Sequence, residues 1–408
     1  MRLFGLTYEP RQRHEKAGFT KDARVRTPPA HRAGAYVMQP AGYRAFIPKP
    51  MPPNPPVALG QAMVALLSDA DRDLARLDAA TEFLPNPHMF VDMYVRKEAV
   101  LSSQIEGTQA SMADLLEHEI RPDRDDRRDV GEVANYVRAL NLGIERLATL
   151  PISLRLMREI HEALLTGVRG GRHTPGHFRR TQNWIGPSGC TLADASFVPP
   201  PPAEAVKAMG DLERFLHDTT PMPALVKVGL MHVQFETIHP FLDGNGRVGR
   251  LLITFLLCAQ GILHQPTLYL SHYFKQHRQD YYDALQRVHD HGDFEAWIRF
   301  FLTGVRDVSR EATDTARRVR ALREEHRQLV TSKLRNSTAG FQLLDRLYQK
   351  PLVSVSEVAD IIGRTYPVAN ELVLAFQTLR LLREKTGRLR NRVFAYHPYL
   401  DIFGELKP

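Results

Sequence analysis

Apolar side chains return every three or four positions along most of this chain, with polar residues between them. From Leu59 to Ala80 the repeat is carried by Met63, Leu66, Leu67, Leu74 and Leu77, and it predicts a helix. Pro85 and Pro87 break it. A second helix is expected from about His88 to Ile105, with Phe90, Met93, Tyr94, Val100 and Leu101 on one side and Gly107 as its stop. After a polar connector over 121–128, Asp129 is placed to cap a helix bearing Val133, Tyr136, Val137, Leu140 and Leu147. Pro151 ends that helix, and Ser153 caps the next, which carries Leu154, Met157, Ile160, Leu164 and Leu165. Further helices are predicted over 202–218 and 224–237. Leu251 to Ala259 is apolar on all sides, as expected of a helix buried in a core. Helices over 271–289 and 294–302, the latter with Trp297, Phe300 and Phe301, close that core. Thr313 to Leu329 reads as a charged connector helix with a solvated face.

Three stretches depart from the helical repeat. Residues 1–56 are rich in turn formers, with Pro28, Pro29, Pro48, Pro50, Pro52, Pro53, Pro55 and Pro56, and read as an extended arm. Residues 175–202 read as a hairpin that ends in Pro199 to Pro202. Ala339 to Tyr399 predicts three helices and a hairpin, the order of a winged helix-turn-helix. The hairpin and its approach carry Arg383, Lys385, Arg388, Arg390 and Arg392, a stripe that could hold a DNA backbone. The helix around Tyr366 to Val373 offers few base-reading side chains beyond Asn370, and such modules also serve as dimer or protein docking units. The chain is thus expected to be mainly α, divided at 1–56, 57–150, 151–308, 309–335 and 336–408.

Composition narrows the function class. At 408 residues, 43% hydrophobic and 25% charged, the chain has the make-up of an ordinary globular protein. Its longest apolar run, 251–259, is too short to span a membrane, so no membrane partner is expected. The first residues lack the apolar core of a signal peptide. Cys190 and Cys258 form neither a disulfide framework nor a zinc cluster, which fits a cytoplasmic protein. A net charge of +8 is compatible with polyanion binding and equally with a plain basic surface.

Candidate chemistry concentrates in His239-Pro240-Phe241-Leu242-Asp243-Gly244-Asn245-Gly246-Arg247-Val248-Gly249-Arg250. Taken singly, a His before Pro or a Gly-Asn-Gly turn says little. Together they describe a phosphate site. A loop ending in Gly-Asn-Gly and opening onto a helix offers free N–H groups and the positive end of the dipole. Arg247 and Arg250, three apart, are expected to project from one face and to clamp phosphate. Asp243 could hold Mg²⁺ bridging phosphates, and His239 could act as a general base near neutral pH. Far upstream, Glu106 sits in the last turn of a helix, where the dipole disfavours a carboxylate and invites another partner.

The 239–250 segment matches, position for position, the His-Pro-Phe-x-Asp/Glu-Gly-Asn-Gly-Arg-x-x-Arg signature of the Fic family, which the chain resembles from about residue 40 onward. Ser102-x-x-x-Glu106-Gly107 is similar to the inhibitory motif found before many Fic cores. The resemblance implies a helical core with a β-hairpin flap that transfers AMP from ATP, with Mg²⁺, to a Ser, Thr or Tyr hydroxyl of a target protein or of itself. It implies His239 as base, Asp243 as metal ligand, Gly244, Asn245 and Gly246 as phosphate cradle, and Arg247 and Arg250 as clamps. Ile185, Gly186, Pro187 and Ser188 would lie near the nucleotide, Tyr281 would border the adenine, and His289 is given no role. Glu106 would pair with Arg250 and hold the enzyme inhibited. A Lys at the position of Gly246 marks a branch that transfers phosphate, so the small residue favours AMP transfer. A homodimer is expected. The alternatives are an ATP-sensing DNA-binding regulator and a transferase of another nucleotide.

Overall fold

A computed structural model describes residues 31–82, 84, 86–120, 128–168, 174–187, 189–334, 337–387 and 391–404. The first 30 positions of the expected arm, the 121–127 connector, Ser188, and the wing positions Arg388 and Arg390 lie outside these residues.

The chain opens with a hairpin, β1 (Gly34–Met38) against β2 (Arg44–Pro48), antiparallel, with Tyr36 opposite Phe46. The expectation of an arm without regular structure is thereby corrected for this part. Phe46 is fully buried against Phe197 and His289, and its N–H donates to Val198 O. The short apolar run Ala45-Phe46-Ile47 is a strand signal that the surrounding prolines obscure.

The body is helical: α1 (Gln61–Glu82), α2 (His88–Ile105), α3 (Met112–Ile120), α4 (Arg128–Leu147), α5 (Leu154–Leu165), α6 (Pro202–His217), α7 (Ala224–Ile238), α8 (Asn245–Ala259), α9 (Ser271–Gln276), α10 (Arg278–His291) and α11 (Phe294–Lys333). Ser153 caps α5 as expected, accepting from Leu156 N. Asp129 does not cap α4. It lies inside the helix and accepts from Gln109 N, which ties down the loop after α2. The helix expected over 271–289 is two, because His277 leaves helical geometry at φ −109°, ψ 40°. The core and connector helices are instead one. Phe301, Val305, Val308, Ala312, Ala316 and Val319 keep the three-and-four spacing through the supposed gap, and all are buried. The boundary expected at 308/309 therefore falls inside α11. Along this helix runs α1, whose buried Asp73 receives Arg310 Nε at 2.6 Å.

Helices α7 and α8 form the centre, and the residues of α7 from Leu225 to Ile238 are all buried except Lys227. Trp297 of α11 packs flat on His232 of α7 (5.7 Å, 17°) and donates Nε1–H to Gly229 O at 2.7 Å. Trp297→Phe is expected to cost about 1–3 kcal/mol, because it removes that hydrogen bond and leaves a void beside the carbonyl. Urea unfolding measures the loss, and an unchanged midpoint would contradict it.

The C-terminal module contains α12 (Ser337–Gln349), β3 (Leu352–Ser354), α13 (Val355–Ile362), α14 (Tyr366–Thr378), β4 (Arg383–Glu384), β5 (Val393–Ala395) and α15 (His397–Leu400). Its sheet order is β3-β5-β4, antiparallel throughout. Ser354 makes a capping box with Glu357 at the start of α13. The module packs through α12 onto α2, and Phe403 meets Tyr94 edge-on at 6.4 Å. On α14 the expected base reader Asn370 accepts from Arg392 at 3.0 Å, while Tyr366, Val368 and Leu374 are exposed.

Candidate functional site

The turn between α7 and α8 is held by its own residues and by two distant segments. His239 ends α7 in the left-handed region (φ 49°, ψ 59°), a strained conformation for a residue with a Cβ. Its carbonyl accepts Arg179 Nε at 2.9 Å, and Arg179 N donates to Pro240 O at 2.9 Å. The Arg179 guanidinium also donates to Pro200 O and is almost fully buried. Asn183 Nδ2 donates to Phe241 O at 2.8 Å. From α5, His161 stacks on Phe241 (3.8 Å, 6°) and bonds Asp243 O at 3.0 Å, while its Nδ1 accepts Gly176 N–H at 2.9 Å. That pattern requires hydrogen on Nε2. Burial pushes this imidazole down to about 4, which keeps it neutral.

Within the motif the expected roles separate. Asn245, expected in the phosphate cradle, closes the loop on itself: Oδ1 accepts Phe241 N and Nδ2 donates to Phe241 O, both at 2.8 Å. Gly244 caps α8 with φ 79°, and Asn245, Gly246 and Arg247 open the helix, where backbone N–H groups lack an intrahelical acceptor. The two arginines do not share a face. Arg247 Nη1 meets Glu132 of α4 at 3.0 Å and Nη2 meets Asp243 Oδ1 at 3.3 Å. Arg250 points the other way, toward the end of α2. Its Nε donates to Ser102 Oγ at 2.8 Å, and its Nη2 to Ser102 O at 3.0 Å and to Glu106 Oε1 at 2.7 Å. A spacing of three places two side chains on neighbouring rows of a helix, and the acids on α2 and α4 then pull them apart.

A cavity of about 440 Å³ lies beside this turn, lined by Glu106, Ile185, Gly186, Phe197, Glu236, His239, Gly246, Arg250, Tyr281, Tyr282 and His289 among others. The volume suits a drug-sized ligand. Of the expected site residues, Pro187, Asp243, Gly244, Asn245, Arg247, Ser102 and Gly107 are not part of this lining. Gly107 instead turns the chain after Glu106, with φ 99°. Tyr281 lines the cavity but is only 2% exposed. Its ring stacks on Phe274 at 4.6 Å and its hydroxyl bonds His232 Nε2 at 2.9 Å, so the sheltered ring is chiefly core. The expected flap reduces to one antiparallel pair, Ile185 with Phe197, bonded both ways at 2.8 and 3.0 Å. Pro199 to Pro202 lack the N–H groups a longer ladder needs.

Burial sets the protonation here. Desolvation, then the Arg179 guanidinium, pushes His239 down to about 4, so the ring is neutral at pH 7 and free to accept a proton. Burial pushes Glu236 up to about 8 and Glu98, which Tyr136 and Ser271 hold below Arg250, up to about 7. Burial alone would lower the Arg250 pKa; Glu106, together with Tyr281, Tyr136 and Glu236, outweighs it, and the guanidinium keeps its charge. Gly246 is the close approach that permits this pair. A Cβ there would overlap Glu106 Oε1 and lie 2.9 Å from Arg250 Nη1. Gly246→Ala is expected to cost about 1–3 kcal/mol of stability, chiefly by forcing the carboxylate off Arg250. The cost should shrink in a Glu106→Gly background, where only the close approach to Arg250 Nη1 remains, and equal losses in both backgrounds would contradict the packing argument.

Arg179, Asn183, His161, Glu132 and Glu236 were not singled out from the sequence. For His161 a signal exists: its spacing places an ionisable residue on the apolar face with Met157, Ile160, Leu164 and Leu165.

Residues 64–145 match the Fic/DOC family N-terminal region, and residues 151–257 match the Fic/DOC family. The chain is similar to the protein adenylyltransferase Fic of Culex quinquefasciatus, 34% identical over 154 residues, 36% of this chain and 27% of that protein. The probable protein adenylyltransferase aq_aa38 of Aquifex aeolicus (strain VF5) is 27% identical over 175 residues, 43% of this chain and 51% of that protein. The chain thus spans about a quarter to a half of these relatives. The fold is similar to the crystal structure of a Fic family protein from Desulfovibrio desulfuricans G20, with TM-score 0.53 and 20% identity over 84% of this chain and 97% of that one.

Proposed function

We propose, from the premise that this chain carries the Fic/DOC family domain together with its N-terminal region, that it is a protein adenylyltransferase held inactive by its own α2. The reading is carried by one observation: Arg250, last residue of the 239–250 motif, is occupied by Glu106 at 2.7 Å inside the cavity that His239 lines.

In the reaction, neutral His239 takes the proton of a Ser, Thr or Tyr hydroxyl on a target protein or on the chain itself. The hydroxyl oxygen forms a bond to the α-phosphorus of ATP as the bond to the β-phosphate bridge breaks, and pyrophosphate leaves. Arg250 and the first N–H groups of α8 are placed for the negative charge of the phosphates. The donor set fits Mg²⁺. Both contacts of Asp243 fall on Oδ1, which leaves Oδ2 without a partner among the described residues. One carboxylate completed by phosphates and water is the usual Mg²⁺ arrangement. Bound there, Mg²⁺ would neutralise phosphate charge. While Glu106 holds Arg250, the guanidinium is not available to the terminal phosphate, and the α-phosphate lies out of line for attack.

The test is label transfer by the Glu106→Gly variant. Radioactivity from α-labelled ATP should remain on protein through denaturing electrophoresis, and that from γ-labelled ATP should not. γ-label retained on protein would identify a phosphotransferase. Stronger labelling from another α-labelled nucleotide at equal concentration would identify a transferase of that nucleotide.

A further inference from the structure

Glu236 lies three residues before His239, in the last turn of α7, and none of the roles assigned above uses it. Its side chain is buried and lines the cavity beside Arg250. Oε1 is shielded from solvent and has no hydrogen-bond partner among the described residues. That oxygen lies against Gly249 of α8, one residue before Arg250, where a Cβ would overlap it. A buried carboxyl oxygen without a partner requires a reason, since leaving it so is costly.

We propose that Glu236 is a further nucleotide-binding residue, whose carboxyl donates a hydrogen bond to a phosphate oxygen beside Arg250 once Glu106 has moved away. The inference rests on the adenylyltransferase reading and names an added contact within the same site. Four groups share the cavity with Glu236: Arg250 from α8, Glu106 from the end of α2, Tyr281 from α10, and His239 at the end of its own helix. Only Arg250 favours the carboxylate. Glu106 disfavours it, and burial disfavours it more. When a triphosphate replaces Glu106, anionic oxygens take the place of one carboxylate, and Arg250 is shared with them. A charged Glu236 would then face phosphate across a cavity with little water. A protonated one supplies an O–H donor where the phosphate needs it. Nucleotide binding therefore draws a proton onto Glu236.

The experiment is calorimetric titration of Glu106→Gly with the non-cleavable α,β-methylene analogue of ATP and Mg²⁺. Titrations at pH 8 in buffers of different ionisation enthalpy give the protons taken up. Glu106→Gly should take up a fraction of a proton that is absent from Glu106→Gly/Glu236→Gln. Glutamine keeps the shape and an N–H donor, so its affinity at pH 7 should stay within about threefold, and Leu in its place should lose about tenfold. Between pH 8 and 9.5 the Glu236 protein should weaken by up to about tenfold per pH unit, while the Gln variant stays flat. Proton uptake unchanged by Glu236→Gln, or the same pH profile in both proteins, overturns the proposal and leaves the adenylyltransferase reading standing. No binding of the analogue to Glu106→Gly overturns both.

Discussion

Replacing Glu106 by glycine is expected to raise transfer of α-phosphate label from ATP to protein by about two orders of magnitude. Glu106 is the C-terminal cap of α2, and its carboxylate is the one charged partner of Arg250 within hydrogen-bond reach among the described residues. Ser102 contributes two further acceptors to the same guanidinium, both neutral. Removing Glu106 therefore leaves Arg250 oriented and charged, with its Nη2 turned to the cavity. The structural cost is moderate. Breaking a fully buried pair costs about 3–5 kcal/mol, but the Glu106 side chain is 26% exposed and the vacated space opens to the cavity, so the loss should be smaller. Glutamine at 106 removes the charge and keeps an oxygen, and should give an intermediate rate. Labelling of the chain itself and of added cell proteins is measured at equal folded fraction, checked by thermal unfolding. If Glu106→Gly binds MgATP and still labels nothing, inhibition by α2 is not what silences the protein.

His239→Ala, built on Glu106→Gly, is expected to lower that labelling by about 10³-fold, within the range for loss of a general base. Nucleotide affinity should change little, because the phosphate contacts come from Arg250 and the start of α8. The pH profile separates a base from a structural residue. The free ring is held down to about 4, so its neutral, proton-accepting form persists above that pH and is lost below it. The acid limb attributable to His239 in kcat/KM should accordingly lie near 4, well below the ordinary histidine value. The strained backbone at 239 makes a control necessary, since alanine could relax the turn. His239→Asn keeps a polar side chain of similar reach and is expected to be as inactive as alanine. Activity retained by both variants would remove His239 from the mechanism.

The Glu106–Arg250 contact, the proposed gate, and the C-terminal module share one helix. Glu106 ends α2, and the same helix receives α12 and, through Tyr94, Phe403.

Much of this was legible in the chain because it is local. Helices with a three-and-four repeat are specified by neighbours a turn away, and α1, α2, α5, α7 and α8 appear where their patterns put them. The 239–250 turn is likewise contiguous: Asn245 closes it onto Phe241, four residues back, and Gly244 supplies the positive φ. What the tertiary structure alone decided concerns partners from distant segments. Nothing near Arg247 or Arg250 says that Glu132 would take one and Ser102 with Glu106 the other; spacing placed them on one face, and opposing acids separated them. Tyr281 has the composition of a stacking residue, yet packing against Phe274 and the bond to His232 bury it. The prolines around 34–48 hid a hairpin whose Phe46 fills a hollow made by Phe197 and His289. The low pKa of His239 and the high one of Glu236 arise from desolvation, which depends on how much of the remaining chain covers a group. Sequence thus determined which chemistry this protein carries, because the motif is built from adjacent residues. Burial by distant helices decided the charge each group bears and which arginine is held in check.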